Sequence, residues 1–291
     1  DVVVFEARDV PGGLNTLGIA AYKVSREFGL SEVELVRQVG IDLRLNQRVT
    51  ADGLKRLLQE FDAVFLGVGL GHTYPLGIPG EDLPGVWESL DFIFQTHTKP
   101  FDECAVGRRV IVIGAGNTAI DVATAATRLG ADEVTIAYRR GEEAMPAFAY
   151  EYGLAKADGV RFEWYAQPIA MVAAPDGRVA GVRFVRTKLE DPKSRNAKLV
   201  NIPGSEFVLP ADMVVKALGQ EPLLELLRAL PGLRTDGGKL HVDRPTGATG
   251  VSKLFAGGDC IRGGGEVVDA VQDGKIAAEG IDQMLAADKR R

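Results

Sequence analysis

The 291-residue sequence has few cysteines and few histidines. Its two cysteines, Cys104 and Cys260, are too few and too far apart for a disulfide framework, a zinc site or a cysteine-ligated iron–sulfur cluster. The sequence contains no Cys-x-x-Cys pair, so a reductase that passes electrons to an internal redox disulfide is disfavoured. The three histidines are scattered, which makes a histidine metal ligand or base a weak hypothesis.

Long apolar runs and a surplus of positive charge are also missing. No run approaches the roughly 20 apolar residues of a membrane-spanning helix, and the start, Asp1 to Glu6, does not have the pattern of a signal peptide. A net charge of -6 argues against nucleic acid as a partner. We therefore expect a cytoplasmic protein that binds neither nucleic acid nor membranes.

The remaining composition is that of an α/β protein. Short Val/Ile-rich runs alternate with helical patterns and are separated by glycine and proline, which is typical of parallel strands joined by helices. A Pro/Gly-rich passage from 75 to 84 indicates a crossing between domains. We predict two dinucleotide-binding, Rossmann-like domains: an outer, discontinuous domain of residues 1–74 and 221–291, and an inserted domain of residues 75–220.

The first residues form an apolar stretch, 2–5, that reads as a buried parallel strand. A chain that starts inside such a strand is expected to lack the segment that precedes it in the fold. Further on, Ser31 and Glu34 have the spacing of a capping box, which predicts a helix that directs Val33, Val36 and Val39 toward the core.

A glycine fingerprint follows the strand predicted for residues 109–113 and opens an Ala-rich helix. In this setting Gly114 makes the tight turn and Gly116 lets the backbone approach a pyrophosphate. The helix N-terminus then binds the phosphates, with side-chain donors from Asn117 and Thr118, and Ala119 occupies the third small position. The pattern predicts a dinucleotide site.

The residues after the next strand decide between NADP and NAD. Arg139 and Arg140 stand there, and arginine neutralises a 2′-phosphate, whereas an acid would bind the ribose 2′-OH. NADPH is therefore the expected cofactor. Alternatively the arginines pair with Glu142 and Glu143, in which case NADH is usable as well.

Several further residues suggest a second nucleotide site. Glu6 ends the first strand where an acid for an adenine ribose belongs, and Gly12 and Gly13 follow it. Near the other end, Gly258 and Asp259 follow an apolar strand, at the edge where ligands bind in open α/β sheets. Three more elements belong to the predicted sites. Two are strands that run into glycine, at Gly67 and Gly219, and the third is the start of the last helix, at Glu266 and Val267.

Taken together, these segments resemble the flavoprotein family of the glutamate synthase small subunit and the NAD(P)H-oxidising part of dihydropyrimidine dehydrogenase, with details closer to the latter. The resemblance covers essentially the whole chain. Its motifs are Glu6 with Gly12-Gly13-Leu14, 19–23, 78–82, 114–121, 138–140, Met145-Pro146, 256–259 and 273–275.

The resemblance implies that FAD sits on the outer domain and NAD(P)H on the inserted one. By the same comparison Glu6 holds the FAD adenosine ribose, Asp259 holds the ribityl chain, and the helix starting near Glu266 and Val267 lies beside the flavin. The family's FAD glycine loop and its cysteine-rich iron–sulfur region are not found in the sequence.

The leading hypothesis is a FAD-dependent NAD(P)H oxidoreductase in which the cofactors, rather than a catalytic side chain, perform hydride transfer. Electrons would leave through iron–sulfur clusters of a missing segment or of a catalytic partner subunit, as in dihydropyrimidine dehydrogenase or, alternatively, glutamate synthase. A hypothesis of another class is that the chain is a nucleotide-binding module without turnover. In that case the chain lacks the helix N-terminus that would bind the FAD pyrophosphate.

Overall fold

The structure, a computed structural model, describes residues 1–191, 198–228 and 230–289. The strands are, in chain order, Val3–Phe5 (β1), Asp42–Arg44 (β2), Val64–Leu66 (β3), Val86–Glu88 (β4), Arg109–Ile113 (β5), Glu133–Ala137 (β6), Arg161–Glu163 (β7), Ala166–Ala173 (β8), Val179–Leu189 (β9), Leu199–Asn201 (β10), Phe207–Pro210 (β11), Met213–Lys216 (β12), Thr235–Asp236 (β13), Lys239–Leu240 (β14) and Leu254–Ala256 (β15). The α-helices are Gly13–Leu17 (α1), Arg26–Arg37 (α2), Ala51–Glu60 (α3), Ser89–Thr98 (α4), Asn117–Arg128 (α5), Ala149–Ala157 (α6), Leu224–Leu227 (α7), Asp259–Arg262 (α8) and Val267–Asp288 (α9). Over these described ranges we find no helix with the length and apolar character needed to cross a membrane.

The chain divides into two compact units. The first, the outer unit, consists of 1–11, 33–72 and 220–291, and the second, the inserted unit, consists of 12–32 and 73–219. The breaks at 72 and 219 lie close to the boundaries expected from the sequence. Residues 12–32 do not follow the expectation, because they belong to the inserted unit rather than to the outer one.

The inserted unit is built on a parallel sheet in the order β4-β12-β5-β6-β7. The strand with the glycine fingerprint, β5, lies in the middle, where the strand order reverses. This is the topology of a dinucleotide-binding fold, in which the ligand binds across the carboxyl ends of the strands at the reversal point.

Alternation along β5 explains why both faces of this sheet are covered. Val110 and Val112 pack into a core with Phe92, Ile120 and the rest of the helical layer. Ile111 and Ile113 point to the opposite face and pack against an antiparallel sheet in which β9 pairs with β8, β10 and β11. A strand that is buried on both faces reads as a continuous apolar run, as Arg109–Ile113 does after its first residue.

The outer unit contains two separate parallel pairs, β1 with β2 and β3 with β15. Its core gathers Leu54 of α3 and Leu66 and Leu254 of the second pair. Among the described strands, β1 pairs with no strand except β2, and β3 with none except β15. β1 and β3 therefore each present an outer edge whose backbone groups have no ladder partner among the described strands.

Segment 12–32, which we call the strap, is anchored in the inserted unit by buried side chains. Leu17 and Ala20 are 3% and 0% exposed, and Lys23 forms ion pairs with carboxylates of α5 and α6. Local sequence could not show this, because the partners lie about a hundred residues further along the chain.

The helix expected to begin at Ser31 begins earlier. Ser25 Oγ accepts a hydrogen bond from Phe28 N–H at the start of α2, whereas Ser31 Oγ donates to Phe28 O in the helix interior. The capping-box prediction was therefore wrong. The expected burial was wrong as well, because Val36 and Val39 are 55% and 84% exposed.

Candidate functional site

Only glycine fits the turn that follows β5. Gly114 has φ +126°, a conformation that side chains disfavour, and a Cβ there would lie 2.1 Å from Ala217 O. The closeness arises because β12 runs beside β5, with Ala217 N–H bonded to Ile113 O at 2.8 Å. Gly114 thus has the role that the fingerprint predicted for it, the tight turn.

Gly116 differs from Gly114 in that the space around its Cβ position is open. No described atom lies within 4 Å of that position, and its φ of -82° is ordinary. Gly116 is the N-cap of α5, and no side chain caps the helix. Gly116 O accepts from Ala119 and Ile120, so the N–H groups of Asn117 and Thr118 have no backbone partner among the described residues. The start of α5 is therefore a free anion-binding cradle.

Asn117 is oriented by a neighbouring helix. Its Oδ1 accepts from Phe148 N–H at 3.0 Å, which leaves its Nδ2 donors for a ligand. Thr118 is exposed in the first turn, and Ala119 is fully buried against the core. The residues from 114 to 119 thus form a cradle. Its hydrogen-bond donors come from Asn117 and Thr118, and its other positions include the small residues Gly114, Gly116 and Ala119.

Arg139 and Arg140 follow β6 and are exposed. Their backbone is fixed, because Thr187 Oγ1 donates to Arg139 O and Tyr165 N–H donates to Arg140 O. Within the described residues neither guanidinium forms an ion pair with a carboxylate. Glu143 instead accepts from Tyr165 OH, so the alternative pairing with Glu142 and Glu143 is not the arrangement seen here. Both arginines are available to a phosphate.

The end of β12 carries a partly buried charge cluster that the sequence analysis missed. Lys216 Nζ lies 2.8 Å from Glu81 Oε1 and 3.3 Å from Glu88 Oε1. Burial disfavours the charge of Glu81, but the Lys216 ammonium and two backbone donors outweigh it and lower the pKa of that carboxyl. A lysine inside the apolar run 213–218 was the available signal. Gly219, three residues on, has φ +81° and open space at its Cβ position.

In the outer unit, Glu6 directly follows β1. Its Oε1 accepts from Arg8 N–H at 2.8 Å, which holds the carboxylate at the carboxyl end of the strand. Gly67 directly follows β3 at the same kind of strand end. Gly12 and Gly13, which the sequence placed beside Glu6, have φ values of +100° and +56° and begin the strap of the inserted unit.

Asp259 follows β15 and lies in the first turn of α8, with Gly258 before it at φ +75°. Asp259 Oδ1 accepts from Gly265 N–H at 3.0 Å. Burial raises the pKa of the Asp259 carboxyl, against that hydrogen bond, which lowers it. Glu266 is the N-cap of α9 and forms a capping box with Asp269, so Val267 is the first helical residue.

The loop that carries Asp259 is held by Asp273 of α9, to which the sequence analysis gave no role. Asp273 Oδ2 accepts from Gly258 N–H at 3.0 Å and from Arg262 Nε at 2.6 Å, and Oδ1 accepts from Arg262 as well. The Arg262 guanidinium lowers the pKa of Asp273, although burial opposes this. This bidentate pair fixes both ends of α8.

Replacing Asp273 with asparagine is expected to destabilise the protein by about 2 kcal/mol at neutral pH, as measured by urea unfolding. The estimate is below that for a fully buried pair because Arg262 is 36% exposed. Since the folded-state pKa of Asp273 is depressed, its contribution is present above about pH 4 and is lost as the pH falls through the folded pKa. The difference between wild type and Asp273→Asn should therefore shrink in acid. A difference that stays constant with pH would contradict this ion-pair account, and Asp52→Asn, in an exposed pair, is the matched control.

Cys260, which follows Asp259, is 2% exposed. Its thiol donates to Leu66 O and Gly257 O, and burial raises its pKa to about 11. Both effects disfavour the thiolate, which is the reactive form of cysteine.

The reversal of strand order at β5, the free helix N-terminus and the exposed arginines define a dinucleotide-binding oxidoreductase fold. Comparison with known proteins agrees with this class. The family model described as pyridine nucleotide-disulphide oxidoreductase matches residues 16–274. The chain belongs to that family.

Several curated proteins are similar along nearly the whole chain. The putative oxidoreductase AegA of Escherichia coli is 37% identical over 98% of this chain and 45% of its own length. The NADP(+)-dependent formate dehydrogenase subunit beta of Moorella thermoacetica is 40% identical over 98% of this chain and 40% of its own length. The glutamate synthase [NADPH] small chain of Escherichia coli is 37% identical over 97% of this chain and 63% of its own length. The chain thus spans less than two thirds of each of these relatives.

Solved structures share the fold. FprA of Mycobacterium tuberculosis in complex with NADPH superposes with a TM-score of 0.77 at 20% identity, over 99% of this chain and 78% of that one. The thioredoxin reductase of T. acidophilum gives 0.70 at 19% identity, over 97% and 89%. The predicted fold class, the oxidoreductase class and the resemblance to glutamate synthase small subunits are confirmed. The finer similarity to dihydropyrimidine dehydrogenase stays a prediction.

Proposed function

We propose that this chain is part of a FAD-dependent NAD(P)H oxidoreductase, with NADPH on the inserted unit and FAD on the outer unit. The observation that carries the proposal is the N-terminus of α5, which has no side-chain cap among the described residues and lies above an open Gly116. It is one strand away from Arg139 and Arg140, which form no ion pair with a described carboxylate. Family membership and the relatives named as NADPH or NADP(+) enzymes support it.

The residues of the inserted unit fit NADPH. Free N–H groups at Asn117 and Thr118 supply donors for the pyrophosphate, and Arg139 and Arg140 supply positive charge for a 2′-phosphate. Because β12 and β4 lie on the other side of β5 from β6, the nicotinamide half is expected to extend toward Gly219.

The described residues of the outer unit fit part of FAD. Glu6 offers a carboxylate for a ribose, and Asp259, on a loop fixed by Asp273, offers a second acceptor. We propose that the pyrophosphate is bound by a further βα segment whose strand pairs with the free edges of β1 and β3. The open edges and the greater length of the relatives support this.

When bound, NADPH supplies a hydride and FAD accepts it. The chain orients the two by the cradle at α5 and by the Asp259 loop. Neither Cys104 nor Cys260 is accessible as an electron carrier, since both are buried. We therefore propose that electrons leave to iron–sulfur clusters outside this chain, on a further segment or on a catalytic partner subunit. Relatives named as a small chain and as a beta subunit support a partner, and we propose the cytoplasm as the location.

The FAD proposal is tested by purifying two proteins, this chain and the full-length protein that contains it. We expect the full-length protein to be yellow with stoichiometric flavin, and this chain to bind NADPH but retain little flavin. A full-length protein that binds no flavin after reconstitution would contradict the proposal.

The alternative of a nucleotide-binding module without turnover is favoured by the separation of the outer unit's strands into two pairs. It predicts a full-length protein that binds NADPH and stays colourless. The same purification therefore decides between the two functions.

A further inference from the structure

A buried cluster of charges joins the strap to the inserted unit. Lys23 Nζ lies 2.5 Å from Asp121 Oδ1 on α5 and 2.6 Å from Glu151 Oε1 on α6. Tyr22 OH also donates to Asp121 Oδ1, at 3.0 Å. Asp121 and Glu151 are 6% and 4% exposed and the Lys23 side chain is 24% exposed, so water screens these contacts only in part. Among the described residues Lys23 is the cation paired with both carboxylates, so removing its ammonium would leave them buried without that ion pair.

The cluster lies one helical turn behind the pyrophosphate cradle. Asp121 follows Asn117 by four residues on α5, and Glu151 follows Phe148 by three on α6. Phe148 and Asn117 are themselves hydrogen-bonded. The Lys23 contacts therefore fix the two helix starts that shape the cradle.

Two further contacts hold the part of the strap that precedes Lys23. His97 Nε2 of α4 lies 2.6 Å from Ile19 O, and the Arg128 guanidinium of α5 lies 4.3 Å from the centre of the Tyr22 ring. Thr16, Leu17 and Ala20 are buried. The strap is thus a built part of the inserted unit, and it begins with Gly12 and Gly13.

We propose that Lys23 is a positioning residue, whose ammonium locks the strap to α5 and α6. It thereby holds the Gly12–Gly13 loop in a set position relative to the Gly116–Ala119 cradle. The inference rests on the proposed function, in which the cradle serves NADPH, and adds to it that the Gly12–Gly13 loop, which follows the proposed FAD residue Glu6 in sequence, contacts FAD. A shift of either site would misplace the reacting rings, and small misplacements slow such reactions greatly.

The test uses the full-length protein with bound FAD and the variant Lys23→Met, which keeps an unbranched side chain one atom shorter and removes its charge. At saturating NADPH, flavin reduction is expected to slow by about tenfold or more, while the Kd of NADPH changes less than about threefold. Lys23→Arg should restore most of the rate. Amide hydrogen exchange of residues 14–24 should accelerate in Lys23→Met and stay slow in Lys23→Arg. Lys55→Met, which breaks an exposed pair on α3, is the matched control.

An unchanged flavin-reduction rate in Lys23→Met, or an unchanged exchange rate of the strap, would overturn the proposal. If Lys23→Met does not fold, Lys23→Met/Glu151→Gln keeps a single buried carboxylate, Asp121, with Tyr22 as donor, and the same losses are expected. Wild-type protein whose flavin NADPH does not reduce would contradict the proposed function instead, and hydrogen exchange would still decide whether Lys23 holds the strap.

Discussion

Replacing Gly116 with alanine is expected to weaken NADPH binding on the order of a hundredfold, about 2.7 kcal/mol, with only the small loss of thermal stability that alanine causes at a helix N-cap. The reason is that the added methyl group meets no protein atom within 4 Å and suits the φ of -82°, so the fold accommodates it. The methyl instead occupies the space in which a pyrophosphate would contact the start of α5. Titration with NADPH by calorimetry and a thermal melt measure the two effects separately.

Gly114→Ala is the matched comparison, with the opposite pattern. Its methyl would lie 2.1 Å from Ala217 O at a φ of +126°, so it should lower the melting temperature markedly whether or not NADPH is present. If Gly116→Ala bound NADPH as tightly as wild type, the cradle at α5 would not be the pyrophosphate site.

The double variant Arg139→Ala/Arg140→Ala should weaken NADPH binding on the order of a hundredfold or more and leave NADH binding within about threefold of wild type. The 2′-phosphate is the group that distinguishes the two nucleotides, and charge-assisted hydrogen bonds from arginine are its expected partners. Since neither guanidinium is paired with a described carboxylate, their removal breaks no ion pair within the described part of the chain.

The ratio of the NADPH and NADH dissociation constants is therefore the quantity to measure, at fixed salt because the contacts are ionic. Arg183→Ala, on the β8–β9 sheet, controls for a general loss of positive charge. An equal loss of affinity for both nucleotides would place the arginines elsewhere than at the 2′-phosphate.

Sequence reasoning succeeded where the determinants are local. The turn at Gly114, the open Gly116 and the start of α5 lie within six residues of one another, and the strand before them is a plain apolar run. The arginines after β6 were found by their spacing from this fingerprint. Turns and helix starts of this kind are determined by consecutive residues, so a sequence pattern can predict them.

It failed where partners are distant in the chain. The strap was assigned to the wrong unit because its anchors, Asp121 and Glu151, lie far beyond Lys23 in sequence. Asp121 had no buried role in the sequence interpretation, and Asp273 had none as a support for the Asp259 loop. An ion pair between residues that are distant in the chain produces no periodic pattern in the sequence. From sequence alone, an acidic residue within a helix is interpreted as solvent-exposed.

The central claim, that the chain helps to carry hydride from NADPH to FAD, is tested most directly by mixing the FAD-loaded full-length protein with NADPH without oxygen. The account predicts that the visible flavin absorbance bleaches with stoichiometric NADPH, and more slowly when the transferred hydrogen at nicotinamide C4 is deuterium. A flavin whose absorbance stays unchanged while NADPH binds would contradict it.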